Sequence, residues 1–463
     1  GKLFIDAPKN KSGLADEATF PKLHSYEDSY IYYDKIKEHV YQRDLFSFKA
    51  DPFKLDSLLT ISTESLEFAG NLNAPTIFPM FRDTMRLNDN LELSFSHQIP
   101  TRYSVFEGRG EFTNNLYLDN KGLRGDGTIY YLNSVTTTDS IFFYPYRALA
   151  HAKSHLLYEQ QSPTNCPVSK VDDASIDWRA FKDQFQSWNR ASFYETYKQK
   201  YSFDGSMILS PKALTASGDF YYDNAISVSD EYILQSQDFT ANNSEFNLFD
   251  EAGGTKIVRA KELYSAMSFK DDFGSFETLS DSTYFEMRKN KYHLYFELME
   301  WDRANKSLLF SQFSTENAWL VSVDENQDSL QFFATDASYD LTTFELEVSG
   351  VAEIFMPPVT IEPDSSYLKI LANGKIDRLH KAYFWVDSQT ETDYNFYDAE
   401  LDLLSAGRFS GSATFDYIDL EGNTQPIHFS SIEKRDGIVT GVSYIAEEDD
   451  FHLDPYFGFK GKV

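Results

Sequence analysis

Hydrophobic residues alternate with polar ones over much of this chain. Such alternation is typical of β-strands that are buried on one face, because successive side chains of a strand point to opposite sides. It is clearest in Leu91–His97, Gly127–Asn133, Tyr292–Leu298, Thr343–Val348 and Gly411–Tyr417. Glycine, asparagine, aspartate and proline lie between such segments and predict turns. The pattern therefore predicts an all-β protein.

One part of the pattern occurs twice. Residues Phe112–Glu159 align without a gap on Phe203–Asp250, at a constant offset of 91. The identical pairs are Phe112/Phe203, Leu118/Leu209, Lys121/Lys212, Leu123/Leu214, Gly127/Gly218, Tyr130/Tyr221, Tyr131/Tyr222, Asn133/Asn224, Asp139/Asp230, Ala150/Ala241 and Leu157/Leu248. Most of these residue types belong to cores and turns, so the repeat predicts a duplicated piece of scaffold and not duplicated chemistry.

The spacing within each copy predicts how the strands are arranged. Hydrophobic runs recur every roughly 13 to 17 residues, which is close to the length of a short solenoid rung. Stacked rungs would cover one another's apolar faces and open edges. We therefore expect an elongated repeat architecture of the β-solenoid or β-helix type. Tandem antiparallel β-sandwiches satisfy the same alternation and are the alternative.

These patterns divide the chain into six segments. They are residues 1–100, an N-terminal β-rich segment; 101–160, the first repeat copy; 161–202, a partly helical insert; 203–250, the second copy; 251–356, a β-rich segment; and 357–463, a repeat-like β segment that we expect to continue in a longer parent protein.

The insert and the C-terminal segment carry patterns of their own. In the insert, aromatic residues between Trp178 and Trp188 recur at helical spacing, which predicts a helix with an inward aromatic stripe. In the C-terminal segment, three blocks correspond to blocks of the first copy. They are Gly411–Tyr417 with Gly127–Asn133, Ile427–Phe429 with Ile141–Phe143, and Thr440–Tyr444 with Ala150–Ser154.

Composition narrows the class of protein. A chain of 463 residues exceeds what one compact core usually holds. The net charge of −30 argues against nucleic acid or an anionic membrane as a partner, because no basic patch offsets the repulsion. Cys166 is the single cysteine, which excludes an intrachain disulfide. No apolar stretch is long enough for a transmembrane helix.

One histidine pair has the spacing of two metal ligands. His151 and His155 are four residues apart, which would place them on one face of a regular strand, as two metal ligands require. The second copy has Asn242 and Phe246 at the aligned positions, and no acidic residue lies between the two histidines. We therefore predict no metal ligands here.

Two acidic segments stand out in the sequence as groups of carboxylates. Asp324–Asp328 has the opening spacing of a calcium loop, but Ser329 stands where the turn needs glycine and Thr335 where a bidentate glutamate would bind. We expect a surface turn there, and a solvated loop at Glu447–Asp450. The sequence thus predicts no catalytic, cofactor-binding or metal-binding residues, and no cofactor.

Five segments carry a resemblance to a known group of proteins. They are Leu118–Ser134, Tyr30–Asp34, Val40–Asp44, Asp51–Ser57 and Phe457–Gly461. They resemble segments of very large, repetitive and functionally uncharacterised proteins of the Bacteroidota cell envelope. The resemblance implies an extracytoplasmic location, in the periplasm or at the cell surface, and transfers no site residues.

The same resemblance implies a modification. Bacteria of that group attach O-glycans where aspartate precedes serine or threonine and then a small or aliphatic residue. Similar triplets place the glycans at Ser57, Thr84, Ser140, Ser282 and Ser329.

Two functions from different classes remain open. The preferred one is a non-catalytic structural or interaction segment of an exported bacterial envelope protein, acting as a repeat scaffold or as a docking surface for envelope proteins or polysaccharide. The alternative is a glycan-binding or polysaccharide-active β-protein in which tyrosine and tryptophan form stacking platforms for sugar rings. Aromatic residues make up 16% of the chain, and we expect most of them in the core.

Overall fold

The computed structural model describes residues 4–6, 22–36, 40–55, 66–251, 254–387 and 393–463. Within these ranges the regular structure consists of strands and four short 3-10 turns, and no α-helix is present. The turns are Ala180–Lys182, Glu325–Gln327, Asp364–Ser366 and Glu447–Asp449. The prediction of an all-β protein is confirmed.

The strands are numbered in chain order. The first eight are β1 (Phe4–Asp6), β2 (Lys22–His24), β3 (Ser29–Ile31), β4 (Ser47–Ala50), β5 (Lys54–Leu55), β6 (Glu67–Ala74), β7 (Phe78–Leu87) and β8 (Leu93–Val105). The next twelve are β9 (Gly110–Asp119), β10 (Gly122–Tyr131), β11 (Ser134–Tyr144), β12 (Arg147–Leu157), β13 (Ser169–Arg179), β14 (Gln184–Asn189), β15 (Tyr194–Thr196), β16 (Tyr201–Leu209), β17 (Leu214–Tyr222), β18 (Ala225–Leu234), β19 (Asp238–Phe249) and β20 (Lys256–Ser268).

The C-terminal half continues the series. Its strands are β21 (Phe273–Thr278), β22 (Phe285–Met287), β23 (Tyr292–Leu294), β24 (Leu298–Asp302), β25 (Ser307–Ser311), β26 (Ala318–Ser322), β27 (Gln331–Ala334), β28 (Asp336–Asp340), β29 (Leu346–Ser349), β30 (Ile354–Met356), β31 (Val359–Glu362), β32 (Tyr367–Ile370), β33 (Leu379–Val386), β34 (Tyr394–Ser405), β35 (Arg408–Ile418), β36 (Thr424–Arg435), β37 (Ile438–Val442), β38 (Tyr444–Ile445), β39 (His452–Asp454), β40 (Phe457–Gly458) and β41 (Gly461–Lys462).

The chain divides into two compact units. Unit 1 comprises Gly1–Phe220 and Ile233–Ser236, and unit 2 comprises Tyr221–Tyr232 and Gln237–Val463. The division falls inside the second repeat copy, so it does not coincide with the six segments drawn from the sequence.

Unit 1 contains a long antiparallel meander in which strands pair mainly with their neighbours in the chain. The order runs β3–β4–β6–β7–β8–β9–β10–β11–β12–β13. Beyond β13, the next position is shared by β14 and β15, and both of these strands pair with β16. A separate small sheet is formed by β1, β2 and β5.

Unit 2 contains a sheet that forks. Strand β20 pairs with β19 on one side, and on the other side it pairs with β21 near one end and with β22 near the other. The first branch runs β21–β24–β25–β28–β29–β32, and the second branch runs β22–β23–β26–β27. A further antiparallel sheet has the order β30–β31–β33–β34–β35–β36–β37.

The antiparallel pairing of the strands differs from what the predicted β-solenoid requires. Rungs of a solenoid stack strands from successive turns of the chain, whereas the ladders from β9 to β12 join strands that follow one another through tight turns. The strand pairing of the described residues therefore gives no support for stacked solenoid rungs. The large antiparallel sheets fit the alternative, sandwich-like sheets, because alternating strands can bury one face without winding into rungs.

Both copies of the repeat form the same four strands. The first copy supplies β9–β12, and the second supplies β16–β19 at the same offset. Tyr131 and Tyr222 are each 1% exposed, and each ring lies near a buried tryptophan, Trp178 at 5.5 Å and Trp301 at 6.2 Å between ring centroids. Aligned residues buried in both copies include Phe112/Phe203, Leu118/Leu209, Leu123/Leu214 and Leu157/Leu248. The two copies thus bury the same aligned core positions.

A β-bulge lies at the same place in both copies. In β11, the buried positions are Ser134, Thr136 and Thr138, and then Ile141 and Phe143, so the alternation skips one residue. In β18 they are Ala225, Ser227, Ser229, Tyr232 and Leu234, which is the same pattern. The extra residue of a bulge bends the strand and resets the alternation, so that the same sheet face stays buried on both sides of the bend.

Side-chain hydrogen bonds hold this bulge in both copies. The Thr138 hydroxyl donates to the His151 carbonyl at 2.6 Å and accepts from the Ser140 N–H at 3.0 Å. The Ser229 hydroxyl donates to the Asn242 carbonyl at 2.7 Å and accepts from the Glu231 N–H at 3.0 Å. A hydroxyl in the core therefore satisfies backbone groups that the interrupted ladder leaves without partners.

The helix predicted over Trp178–Trp188 is wrong. The segment forms the end of β13, the 3-10 turn Ala180–Lys182 and β14, with Asp183 in the left-handed conformation at φ 52°. Trp178 and Phe185 lie opposite each other in the ladder and are buried, while Phe181 is in the turn and 59% exposed. Their spacing imitates a helical stripe because a tight turn separates two inward-facing strand positions.

The blocks of the C-terminal segment that correspond to blocks of the first copy keep their strand order but not their predicted register. Gly411 pairs with Ile432, as Gly127 pairs with Thr138. Ile427, however, pairs with Phe415, four residues after Gly411, whereas Ile141 pairs with Gly125, two residues before Gly127. Ile427 thus lies before the partner of Gly411 in its strand, whereas Ile141 lies after the partner of Gly127. The correspondence of Ile427–Phe429 with Ile141–Phe143 is therefore wrong.

Candidate functional site

An exposed row of aromatic side chains crosses the second branch of the forked sheet. Trp319 and Phe333 are directly opposite each other on β26 and β27, with ring centroids 3.8 Å apart. The Tyr295 N–H donates to the Trp319 carbonyl at 2.9 Å, and the rings of Tyr295 and Tyr284 lie 5.4 Å apart. These four residues, which we call the aromatic ladder, thus occupy one cross-strand row on four successive strand positions.

The ladder is on the solvent side of its branch because of strand alternation. The buried side chains Phe285, Leu294, Leu320 and Phe332 lie next to the ladder residues in the sequence and face the core. The rings of Tyr284, Trp319 and Phe333 are 37%, 40% and 41% exposed. Large rings that stay this exposed in a contiguous row mark a binding surface more often than isolated exposed rings do.

A polar row runs beside the aromatic ladder, two residues from the ladder position on each strand. Glu286 is opposite His293, His293 is opposite Val321, and Val321 is opposite Gln331. The His293 ring stacks on Tyr284, with centroids 4.0 Å apart and planes 18° apart, and burial lowers the pKa of His293. Three of the four positions therefore carry hydrogen-bonding side chains next to the rings.

A pocket of about 240 Å³ lies at the Tyr284 end of the ladder, in the fork of the sheet. Residues 260–262 of β20 lie between its pairings with β22 and β21, and Glu262 has a positive φ of 53°. The pocket is lined by Arg259, Ala260, Lys261, Glu262, Ser282, Thr283, Tyr284 and Glu286. The fork creates the space because the two branches take different strands away from β20.

Ion pairs fix the charges around this pocket. Glu245 accepts from Arg259 at 2.9 Å and lies 3.4 Å from Lys261. Burial opposes the charge on Glu245, but its hydrogen bonds with Arg259 and Asn247 outweigh that effect and hold its pKa below the ordinary value. The same hydrogen bond raises the pKa of Arg259. A glutamate held charged in this way is unsuited to donate a proton as a general acid.

The two histidines considered as metal ligands do not face the same side. His155 is buried, its Nδ1 lies 2.8 Å from the Thr136 hydroxyl, and burial lowers its pKa to about 4. His151 is on the exposed side, where Nε2 lies 2.8 Å from a carboxylate oxygen of Asp173 and Nδ1 lies 3.5 Å from Asp139. The expectation of a shared face is wrong because the bulge between the two residues resets the alternation.

The acidic segments form turns. The Asp324 carboxylate accepts from Lys291 at 2.8 Å and from the Asn326 N–H at 3.0 Å, and these bonds lower its pKa to about 2. Gln327 of that segment is buried, where its side chain accepts from the Ser322 hydroxyl at 2.5 Å. Glu447–Asp449 is an exposed 3-10 turn. Among the described residues no group of three or more His, Cys, Asp or Glu is arranged to hold a metal ion.

The remaining predicted positions differ in accessibility. Cys166 is buried, accepts from Asn133 Nδ2 at 3.0 Å, and has a pKa raised by burial. Of the predicted glycosylation positions, Thr84 and Ser140 are half-buried within strands, and Ser282 and Ser329 are exposed in turns. Ser57 lies outside the described residues. Glycosylation stays a prediction.

The sequence pattern did not reveal the aromatic ladder. Its members are separated by intervals of different length, at positions 284, 295, 319 and 333. Only the register of four strands brings them into one row, and that register depends on turn lengths and on the fork. A usable signal was present in each strand alone, as an aromatic residue in the polar phase of the alternation.

The molecule defined by this fold and site is an all-β repeat protein with an exposed aromatic row. Comparisons with family models, curated proteins and solved structures produced no match to this chain.

None of the helical segments in the part of the chain that the structure describes is long and apolar enough to cross a membrane.

Proposed function

We propose that this chain is a non-catalytic structural and interaction segment of an exported bacterial envelope protein, in which the repeated strands form a scaffold for an exposed docking surface. The observation that carries the proposal is the duplication of supporting contacts. Positions that bury aromatic rings, hold the bulge and close the turns recur at one offset in both copies. Selection on a scaffold preserves such positions, because stacked or extended units must pair with similar neighbours.

An asparagine that occurs in both copies also supports the proposed scaffold function. Asn133 Nδ2 donates to the Tyr158 carbonyl, and Asn224 Nδ2 donates to the Phe249 carbonyl in the second copy. Each asparagine lies in the turn that follows the buried tyrosine and ties that turn to a strand two positions away. The shared function of these residues is to fix the register.

The finer parts of the proposal rest on different support. The proposed architecture is tandem, sandwich-like antiparallel sheets, and the large antiparallel sheets of the fold support it. The extracytoplasmic location rests on the resemblance of segments such as Leu118–Ser134 to Bacteroidota envelope proteins. The partners proposed are envelope proteins or polysaccharide.

Cell fractionation tests the location and the scaffold function together. We expect an antibody against the purified chain to detect the native protein in the envelope fraction of the cells that encode it, with a cytosolic enzyme as the fractionation control. The purified chain should release no reducing ends from a panel of polysaccharides. Recovery of the protein only from the cytosol, or turnover of any polymer, would contradict the proposal.

A further inference from the structure

We infer that the aromatic ladder of Tyr284, Tyr295, Trp319 and Phe333 binds a neutral polysaccharide chain. This inference rests on the proposed function and deepens it by naming the ligand class of the docking surface. Its starting point is that the four rings lie in a single cross-strand row on the solvent side of one sheet branch.

The spacing of the rings fits a polymer of sugar rings. Neighbouring strands lie about 4.8 Å apart, so four strand positions span roughly 14 Å. A pyranose unit has a length close to one strand spacing, and its C–H face is apolar. Aromatic rings attract such faces through dispersion and through contact between C–H groups and the π-system. The row can therefore receive successive units of one chain.

The polar row supplies what the hydroxyl groups of a sugar require. Glu286 offers acceptors, Gln331 offers a donor and an acceptor, and His293 offers a ring nitrogen of each kind in its neutral form. Burial lowers the pKa of His293, which favours the neutral ring. Binding sites combine apolar contact with a few polar groups in this way, because the apolar area gives affinity and the polar groups give orientation.

The charges favour a neutral polymer. The whole chain carries −30, which repels a polyanion at low ionic strength. At the fork end of the ladder, Arg259 and Lys261 are both engaged by Glu245, and Arg288 is engaged by Glu286 at 3.1 Å. Together with Glu262, which also lines the pocket, the carboxylates balance these three cations, so the fork does not form a cationic site for uronic acid groups.

Titration of the purified chain with soluble polymers tests the inference. The probes are hydroxyethylcellulose and glucomannan as neutral polymers and polygalacturonate as the charged one, and binding is measured by calorimetry and by retardation in polymer-containing gels. We expect binding to at least one neutral polymer. Trp319→Ala and Phe333→Ala should each weaken it about tenfold, because each removes one stacking surface.

Two variants control for folding and for general loss of aromatic area. Phe181→Ala removes a ring that is 59% exposed but lies in a turn of unit 1 and is not part of the ladder, and we expect unchanged affinity. Trp319→Phe keeps a ring at the same position, and we expect it to retain most of the affinity that Trp319→Ala loses. Circular dichroism of all variants checks that the strands are intact.

Three binding results would overturn the inference. They are absence of binding to both neutral polymers, equal affinity of the folded Trp319→Ala variant and the unchanged chain, and binding to polygalacturonate alone. A shift from dimer to monomer in Trp319→Ala, without any polysaccharide binding, would instead identify the ladder as an interface between copies and would also overturn it. None of these results depends on the cellular location or on whether the chain cleaves polysaccharides. The proposed scaffold function is therefore tested separately from the ligand.

Discussion

At aligned positions 155 and 246 the two repeat copies place different side chains in the same buried environment. His155 lies against the Phe185 ring, with centroids 5.5 Å apart, and Phe246 lies against Phe276 at 4.1 Å. Both residues are buried, and both lie after the point at which the alternation of their strand is reset. The first copy therefore carries a titratable group where the second carries a hydrocarbon ring.

Replacement of His155 by phenylalanine should remove an acid-sensitive part of the stability. Burial holds the pKa of His155 at about 4 in the folded protein, against 6.5 in the unfolded chain. Protons therefore bind preferentially to the unfolded chain, and stability that is present above pH 6.5 is lost as pH falls toward 4. The loss is about 3 kcal/mol, and urea unfolding at several pH values would measure it.

The second copy supplies the matched control for this change. The reverse substitution, Phe246→His, should introduce an acid-sensitive loss of stability in the second copy, because the imidazole would be buried in a similar place. Equal acid sensitivity of His155→Phe and the unchanged chain between pH 6.5 and 4 would contradict the prediction.

At the scale of single strands, each repeat copy has a glycine in the middle of its second strand. Gly127 of β10 and Gly218 of β17 have φ of 151° and 146°. A Cβ at either position would collide with a carbonyl oxygen of the preceding strand, that of Thr113 or that of Asp204. Both copies thus keep glycine where two backbones approach each other closely.

Gly127→Ala should destabilise unit 1 by about 2 kcal/mol or more, because it combines backbone strain with the collision against Thr113. Gly108→Ala is the matched control, since Gly108 also has a positive φ, 91°, but open space around its Cβ position. We expect the control to lose clearly less stability. Chemical denaturation of both variants measures the difference, and equal losses would show that the close approach has no energetic weight.

Most strands follow from the sequence, and the bends do not. Alternation predicts a strand at Gly127–Asn133, and β10 covers most of it. At Trp178–Phe185, periodicity misleads, because two strand positions joined by a tight turn have the same spacing as two turns of helix. The bulge near Thr138 left no sign in the alternation, because Val135, Ile141 and Phe143 keep one parity while the residues buried before the bulge are serine and threonine.

The candidate site depends on longer-range structure than the strands do. Neither Tyr284 nor Phe333 differs in its local sequence from residues that are buried elsewhere, and the polar phase of each strand is the sole local sign of exposure. Cross-strand register sets which residues become neighbours, and in a forked sheet it depends on the lengths of several turns. The ladder therefore became apparent only from the pairing of four strands.

At the scale of the whole molecule, charge opposes folding. A net charge of −30 adds repulsion that grows as the chain becomes compact. Exposed ion pairs such as Arg86–Glu67 and Lys460–Glu447 each contribute little, typically about 0 to 1 kcal/mol, so their screening by salt has a small effect. The repulsion is the larger salt-dependent contribution.

Raising sodium chloride from about 10 mM to about 150 mM should therefore increase the unfolding midpoint, because the Debye length falls from about 30 Å to about 8 Å. Thermal unfolding followed by circular dichroism measures the shift. An uncharged osmolyte at matched osmolarity controls for effects on water. A midpoint that falls with salt would mean that the ion pairs outweigh the repulsion.

The constant offset between the copies also has a genetic consequence. The strand ends of β9–β12 and β16–β19 agree to within one residue at that offset, and β11 and β18 share the bulge and its buried face. Homologous recombination between the two encoding stretches would delete or add one 91-residue block, which spans seven strands such as β9–β15, while the remaining strands stayed in phase. The length of such a polypeptide can thus evolve in whole blocks, without an intermediate whose strands are out of phase.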